Sequence, residues 1–178
     1  VVLSTGMSNL GEVERAYNVL VESGSKDITL LHCTTNYPCP MTEVNLMAMQ
    51  TLSAAFNCPT GYSDHTEGIE VPIAAAALGA RIIEKHFTLD KSMKGPDHKA
   101  SVDPAELEQM INSIRNIEIC LGDGIKKPNR SELVIQNIVK KKIVASRMIA
   151  TGEIFSDLNL TVKRTDYGIP ADYWDYLQ

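Results

Sequence analysis

Apolar positions along the chain follow two alternating patterns. Short runs rich in β-branched residues, at 1–3, 28–33, 60–63 and 81–87, are separated by stretches in which apolar residues recur at helical period. The first such stretch, 9–23, carries Leu10, Val13, Tyr17, Leu20 and Val21. A second, around 44–56, follows a Pro-rich loop. A third, 68–78, is Ala-rich and closed by Gly79, and a fourth, 104–121, opens with Pro104. Strands that alternate with helices predict parallel βαβ units and an α/β fold. Each predicted strand runs into polar or ionisable residues: Ser4, His32, Ser63 to His65, then Glu84 and His86. In a parallel sheet or barrel these share the carboxyl rim, where α/β sites are built. A strand-terminal hydrogen bond accounts for any one of them. Four successive units with one layout point to a shared site.

After Leu121 the pattern changes. Residues 122–129 are rich in Gly, Lys, Pro and Asn and read as a turn-rich linker, and 138–164 alternate in β fashion around a turn at Gly152. The lysines at 140–142 read as a solvated strand edge that discourages pairing. Ser8 and Asp103, each just ahead of a helical stretch, read as caps. The opening Val-Val-Leu has the character of the middle of a buried strand, so the chain is expected to be a fragment.

Composition narrows the function. With 17 basic against 22 acidic side chains and a net charge of −5 in 178 residues, no nucleic-acid partner is expected. The 44% hydrophobic content is enough for a packed core. No apolar run reaches the ~20 residues of a membrane helix, and the first ten residues lack a basic start and a cleavage site, so no membrane partner and no signal peptide are expected. Cys33, Cys39, Cys58 and Cys120 follow no metal-ligand spacing and read as reduced thiols of a cytoplasmic protein.

His65 and His86 end the third and fourth predicted strands. Sequential strands are usually adjacent, at about 5 Å spacing. Two imidazoles so placed can share a divalent ion such as Mn²⁺ or Co²⁺, completed by carboxylate and water. Loop hydrogen bonds explain the same pair, and spacing alone leaves both readings open. His32, between Leu31 and Cys33, reads as a half-buried core histidine. Asp97, in Gly95-Pro96-Asp97-His98, is either an Asx turn or a carboxylate that reaches the rim. The loop at 33–38 offers hydroxyl and amide donors for phosphate or sugar oxygens, or is a Pro-punctuated turn.

Taken together, six blocks resemble the sialic acid synthase family. They are Leu-Ser-Thr-Gly-Met at 3–7, His-Cys-Thr-Thr-Asn-Tyr-Pro-Cys-Pro at 32–40, Gly-Tyr-Ser-Asp-His-Thr at 61–66, Ile-Glu-Lys-His-Phe-Thr-Leu-Asp at 83–90, Gly-Pro-Asp-His-Lys-Ala-Ser at 95–101 and Asn-Leu-Thr-Val-Lys-Arg at 159–164. The resemblance implies a partial (β/α)₈ TIM barrel, its last four βα units at 1–122. A linker at 123–137 and most of a small β-rich antifreeze-like (SAF) domain at 138–178 would follow. A whole barrel takes ~250 residues, so the family's phosphate-binding lysines and two catalytic glutamates would lie outside this chain, leaving it without turnover alone.

The resemblance further implies condensation of phosphoenolpyruvate with an N-acylated hexosamine, usually N-acetylmannosamine, to a nonulosonic acid. Products of the legionaminate and pseudaminate types also occur in the family, and the wording at 84–101 leans to bacterial members. On this template His65 and His86 are catalytic metal ligands for Mn²⁺ or Mg²⁺, with Co²⁺ a further candidate. Ser63 and Thr35 contact phosphoenolpyruvate. Asp97, assigned a catalytic part, and Tyr37 contact the sugar, and Arg164 reaches the partner's barrel in a domain-swapped homodimer. The sequence departs from the family at Thr35, where Asn or Ser is common, at Cys39, where Thr is commoner, and after Arg164, where Thr165 to Gly168 replace the usual Pro-Gly. Competing readings are a metal-dependent aldolase or isomerase on the same rim, and a non-catalytic carbohydrate-binding or assembly partner.

Overall fold

A computed structural model describes residues 1–177. The chain divides into two compact units, Val1–Gly124 and the segment from Ile125 onward. The first unit is built on strands β1 (Val2–Ser4), β2 (Thr29–Cys33), β3 (Thr60–Asp64) and β4 (Ile83–Lys85), all parallel and in the order β1-β2-β3-β4. A sheet that adds each strand beside the last without reversing has the winding of a barrel wall, not of a doubly wound sheet.

Helices α1 (Leu10–Glu22), α2 (Ala48–Phe56), α3 (Glu70–Ala77) and α4 (Pro104–Leu121) follow the four strands in turn. They cover one face through two apolar clusters. Val13, Ile28, Leu30 and Leu52 pack beneath α1 and α2, and Met49, Tyr62, Val71 and Ala75 beneath α2 and α3. Leu30 and Leu31 are fully buried although they point to opposite faces, as expected for a strand covered on both sides.

Several boundaries differ from the pattern-based expectation. The α1 cap is Asn9, not Ser8: its side chain accepts from the Glu12 amide while Glu12 accepts from the Asn9 amide. Asp103 caps α4 in the same way with Glu106. The helix expected from about 44 begins at Ala48, because Asn45 takes a left-handed backbone (φ 48°) that no α-helix accommodates. β4 pairs with β3 only through Lys85. Beyond it the backbone turns to a different partner, the Val102 amide donating to the His86 carbonyl at 2.9 Å.

The second unit holds helix α5 (Arg130–Val139) and strands β5 (Lys141–Ala145), β6 (Leu160–Arg164) and β7 (Ile169–Pro170), antiparallel in the order β6-β5-β7. The stretch at 130–137, read as linker, is thus largely helical, with a capping box between Asn129 and Glu132. The lysine run is a second correction. Lys141 and Lys142 lie on the central strand of this sheet, not on an edge, and Lys142 donates to the Asp166 carbonyl. Gly152 does turn the chain between two paired strands, β5 and β6, but within a loop of 146–159, so the β pattern expected at 154–155 forms no strand. Buried Asn159 organises that loop, its amide donating to the Ile154 carbonyl and the Glu153 carboxylate and accepting from the Ser156 amide.

Candidate active site

Side chains alternate along a strand, so residues that share register on β2, β3 and β4 separate onto two faces. Leu30, Tyr62 and Ile83 face the helices. Leu31, Gly61, Ser63 and Glu84 face the other way, toward what would be the lumen of a barrel. His65 continues the Ser63 series and His86 the Glu84 series. Both therefore lie on the lumen side, one step above a Ser63 hydroxyl that donates to Glu84 at 2.6 Å.

The two imidazoles converge. Their centroids are 5.3 Å apart with the rings nearly perpendicular, and Tyr37 lies against both, 4.1 Å from His65 and 5.6 Å from His86. His65 is buried, and its Nδ1 stands 2.9 Å from the Thr34 carbonyl oxygen, to which it donates. That bond fixes the tautomer and leaves Nε2 as a lone-pair donor. Nδ1 of His86 faces Asp97 Oδ2 at 3.8 Å. His65 thus has the kind of Nδ1 hydrogen bond that orients metal-binding imidazoles, while the carboxylate facing His86 stands beyond hydrogen-bond distance.

The donor set fits a divalent ion. A nitrogen-bound ion about 2.1 Å from each imidazole places ring centroids roughly 4.6–5.3 Å apart when the ligands are cis. Among the described residues no cluster of three or more His, Cys, Asp and Glu assembles here. The set is two imidazoles, which suits an ion that also takes water and substrate oxygens.

The loops bring further groups. Cys33 is buried at the end of β2, its thiol accepting from the Gly6 amide at 3.2 Å, and burial pushes its pKa upward. Tyr37 is raised too, by desolvation first, then by the nearby Cys33 thiol and the carboxyl groups of Asp97 and Glu84, so its hydroxyl stays a proton donor. Thr35 is exposed on the loop after β2, where it packs toward Gly6 in the left-handed region. Tyr37, His65, His86 and Asp97 are thus brought together, Ser63 lies one step below them, and Thr35 occupies an adjoining loop. Arg164 ends β6 in the second unit and is exposed. His32 belongs to the helix layer: Nε2 bonds to the Val44 carbonyl at 2.9 Å, and the ring borders a cavity of about 400 Å³ between α1 and α2.

Sequence reasoning missed the Thr34 carbonyl and left Glu84 without a role. Backbone oxygens carry no sequence signal. Glu84, already named on the rim from the strand pattern, stands two positions before His86, as Ser63 stands before His65, and so shares its face.

The chain is similar to several known proteins. The chain is 59% identical over 173 residues to the N,N'-diacetyllegionaminic acid synthase of Campylobacter jejuni subsp. jejuni serotype O:2, covering 96% of this chain and 52% of that protein. It is 47% identical over 172 residues to the protein of the same name from Legionella pneumophila, covering 94% and 48% respectively. The crystal structure of an N-acetylneuraminic acid (sialic acid) synthetase from Leptospira borgpetersenii superposes with a TM-score of 0.69 at 40% identity, over 75% of this chain and 47% of that one. The chain spans about half the length of the curated relatives it matches. The parallel sheet is accordingly part of a (β/α)₈ barrel. A family profile described as the NeuB family matches residues 1–126, and the chain belongs to that family.

Proposed function

We propose that this chain supplies the metal and sugar side of a synthase that condenses phosphoenolpyruvate with the open-chain form of an N-acylated amino sugar. In that reaction a carbon–carbon bond forms between the enol carbon and the sugar aldehyde. Water adds at the neighbouring carbon, and phosphate leaves. The observation that carries this reading is the convergence of His65 and His86 under Tyr37, in a chain whose relatives are named as synthases.

A divalent ion between the histidines, Mn²⁺ or Mg²⁺, would supply Lewis-acid polarisation of the aldehyde oxygen. The protein groups prepare that position. The Thr34 carbonyl holds His65 with Nε2 presented, and Asp97 stands at Nδ1 of His86. Tyr37 covers both rings and, with Asp97, offers a donor and an acceptor to sugar hydroxyls. Ser63, released from Glu84, would donate to phosphoenolpyruvate, and Thr35 would meet the same substrate from the next loop. The names of the two relatives support a legionaminate-type acceptor over N-acetylmannosamine. The second unit is read as the antifreeze-like domain, with Arg164 reaching a partner's barrel in a cytoplasmic homodimer.

Phosphate release by the intact protein tests this. With phosphoenolpyruvate and a diacetamido sugar, phosphate is expected in step with sugar consumption, faster than with N-acetylmannosamine. The 178-residue chain alone is expected to release none. Cleavage or isomerisation of a sugar without phosphoenolpyruvate would instead establish the aldolase or isomerase reading.

A further inference from the structure

Behind the histidine pair, on the helix side of the sheet, lies a charge pair removed from water. Asp64 and Lys85 are cross-strand register partners on β3 and β4, with side chains 0% and 2% exposed and Lys85 Nζ 2.6 Å from Asp64 Oδ2. Asp64 is the only fully enclosed carboxylate among the described residues. One step below on the same face lie the uncharged pair Tyr62 and Ile83, packed in an apolar cluster. Apolar side chains would have continued that layer at no desolvation cost, and a buried ion pair commonly stabilises a fold no better than its apolar replacement. Stability alone therefore does not explain it.

Its connections do. Lys85 also donates to the Thr66 carbonyl at 2.6 Å, while Asp64 accepts from the Thr66 amide at 3.0 Å and the Thr66 hydroxyl at 2.9 Å. The residues on both sides of His65 are thus tied to the residue that precedes His86. The tie falls at the last rung of the β3–β4 ladder. Beyond it the His65 carbonyl accepts from Cys39 and the His86 carbonyl from Val102, so the two strand ends part.

We propose that Asp64, Lys85 and Thr66 form a positioning clamp that sets the separation and facing of His65 and His86. They are positioning residues, buried on the face opposite the imidazoles. The functional consequence rests on the proposed metal role of the two histidines.

The test uses the intact protein and two readouts: Mn²⁺ affinity by titration calorimetry, and the ¹⁵N signals of the histidine rings without metal. The double variant D64V/K85M replaces the charges with apolar groups of similar size. It is expected to melt cooperatively yet bind Mn²⁺ roughly tenfold or more weakly, with His65 passing from a single Nδ1–H form to a tautomer mixture. Lys85→Arg, which keeps the ion pair, is expected to retain most of the affinity and the single tautomer. A folded double variant with wild-type affinity and wild-type ring signals would overturn the clamp. Should that variant fail to fold, Thr66→Val, which removes one bond and no charge, carries the test, and unchanged affinity and ring signals overturn the proposal there. If His65→Ala and His86→Ala both bind Mn²⁺ like the wild type, the metal reading fails separately, and the ring signals alone decide the clamp.

Discussion

The side chains at the rim differ in how firmly each is held. His65 is buried, stacked on Tyr37 and bonded through Nδ1, whereas His86 is about one-third exposed and faces Asp97 across a gap longer than a hydrogen bond. The first ring is fixed in advance and the second retains freedom to adjust. Replacing either with alanine is expected to weaken Mn²⁺ binding by roughly an order of magnitude or more. Wild-type affinity in a calorimetric titration of either variant would remove the histidines from the metal site. Tyr37, exposed at the rim with its pKa raised, keeps its phenol proton beside the two rings.

Between neighbouring elements, close approach is the governing constraint. Gly61 sits on the lumen face of β3, where an added Cβ would collide with the Ile82 carbonyl oxygen and come within 2.6 Å of Leu31 Cδ2. Since a backbone carbonyl inside a ladder has nowhere to move, Gly61→Ala is expected to cost about 1–3 kcal/mol, read as a lower urea midpoint. A change under half a kilocalorie would show that β4 shifts freely. In the second unit the loop of 146–159 rests on Glu153. Its carboxyl is held at about 2, against an ordinary 4.5, by hydrogen bonds from the Arg147 guanidinium, then from Asn159 and the Ala150 amide. A carboxyl that binds its proton more weakly when folded stabilises the fold while ionised. That contribution is complete above about pH 4.5 and is lost as pH falls through about 2. Trp174, the single tryptophan, lies in this unit and reports the transition. Glu153→Gln is expected to flatten the pH dependence in that window; an identical acid profile would detach the loop's stability from this carboxylate.

For the molecule as a whole, the two units pose separate questions. The first carries the converging imidazoles on a four-strand parallel sheet with helices on one face. The second carries Arg164 at the exposed end of β6, opposite Lys141 in register. If Arg164 holds the N-acyl group of the sugar, Arg164→Ala raises KM for the amino sugar severalfold and leaves that for phosphoenolpyruvate nearly unchanged. Steady-state kinetics with each substrate varied in turn decides this, and a shift in the phosphoenolpyruvate KM instead would reassign the arginine.

Local periodicity was enough to order the strands and helices of the first unit, because burying one face of each element imposes a repeat that a linear string records. Their positions at the ends of sequential predicted strands also put His65 and His86 on a common rim, while the shared face came from the observed register. Other features depended on contacts between segments far apart in the chain. The central position of the lysine-bearing β5 is one of these, whereas the capping box that starts α5 and the left-handed Asn45 that delays α2 are local backbone events that hydrophobic periodicity does not record. The Thr34 carbonyl at His65 and the Asp64–Lys85–Thr66 cluster belong with the β5 position. A lysine one position before a histidine reads as an exposed charge until the register sets it opposite an aspartate, and only packing of the helices over that face takes the pair out of water.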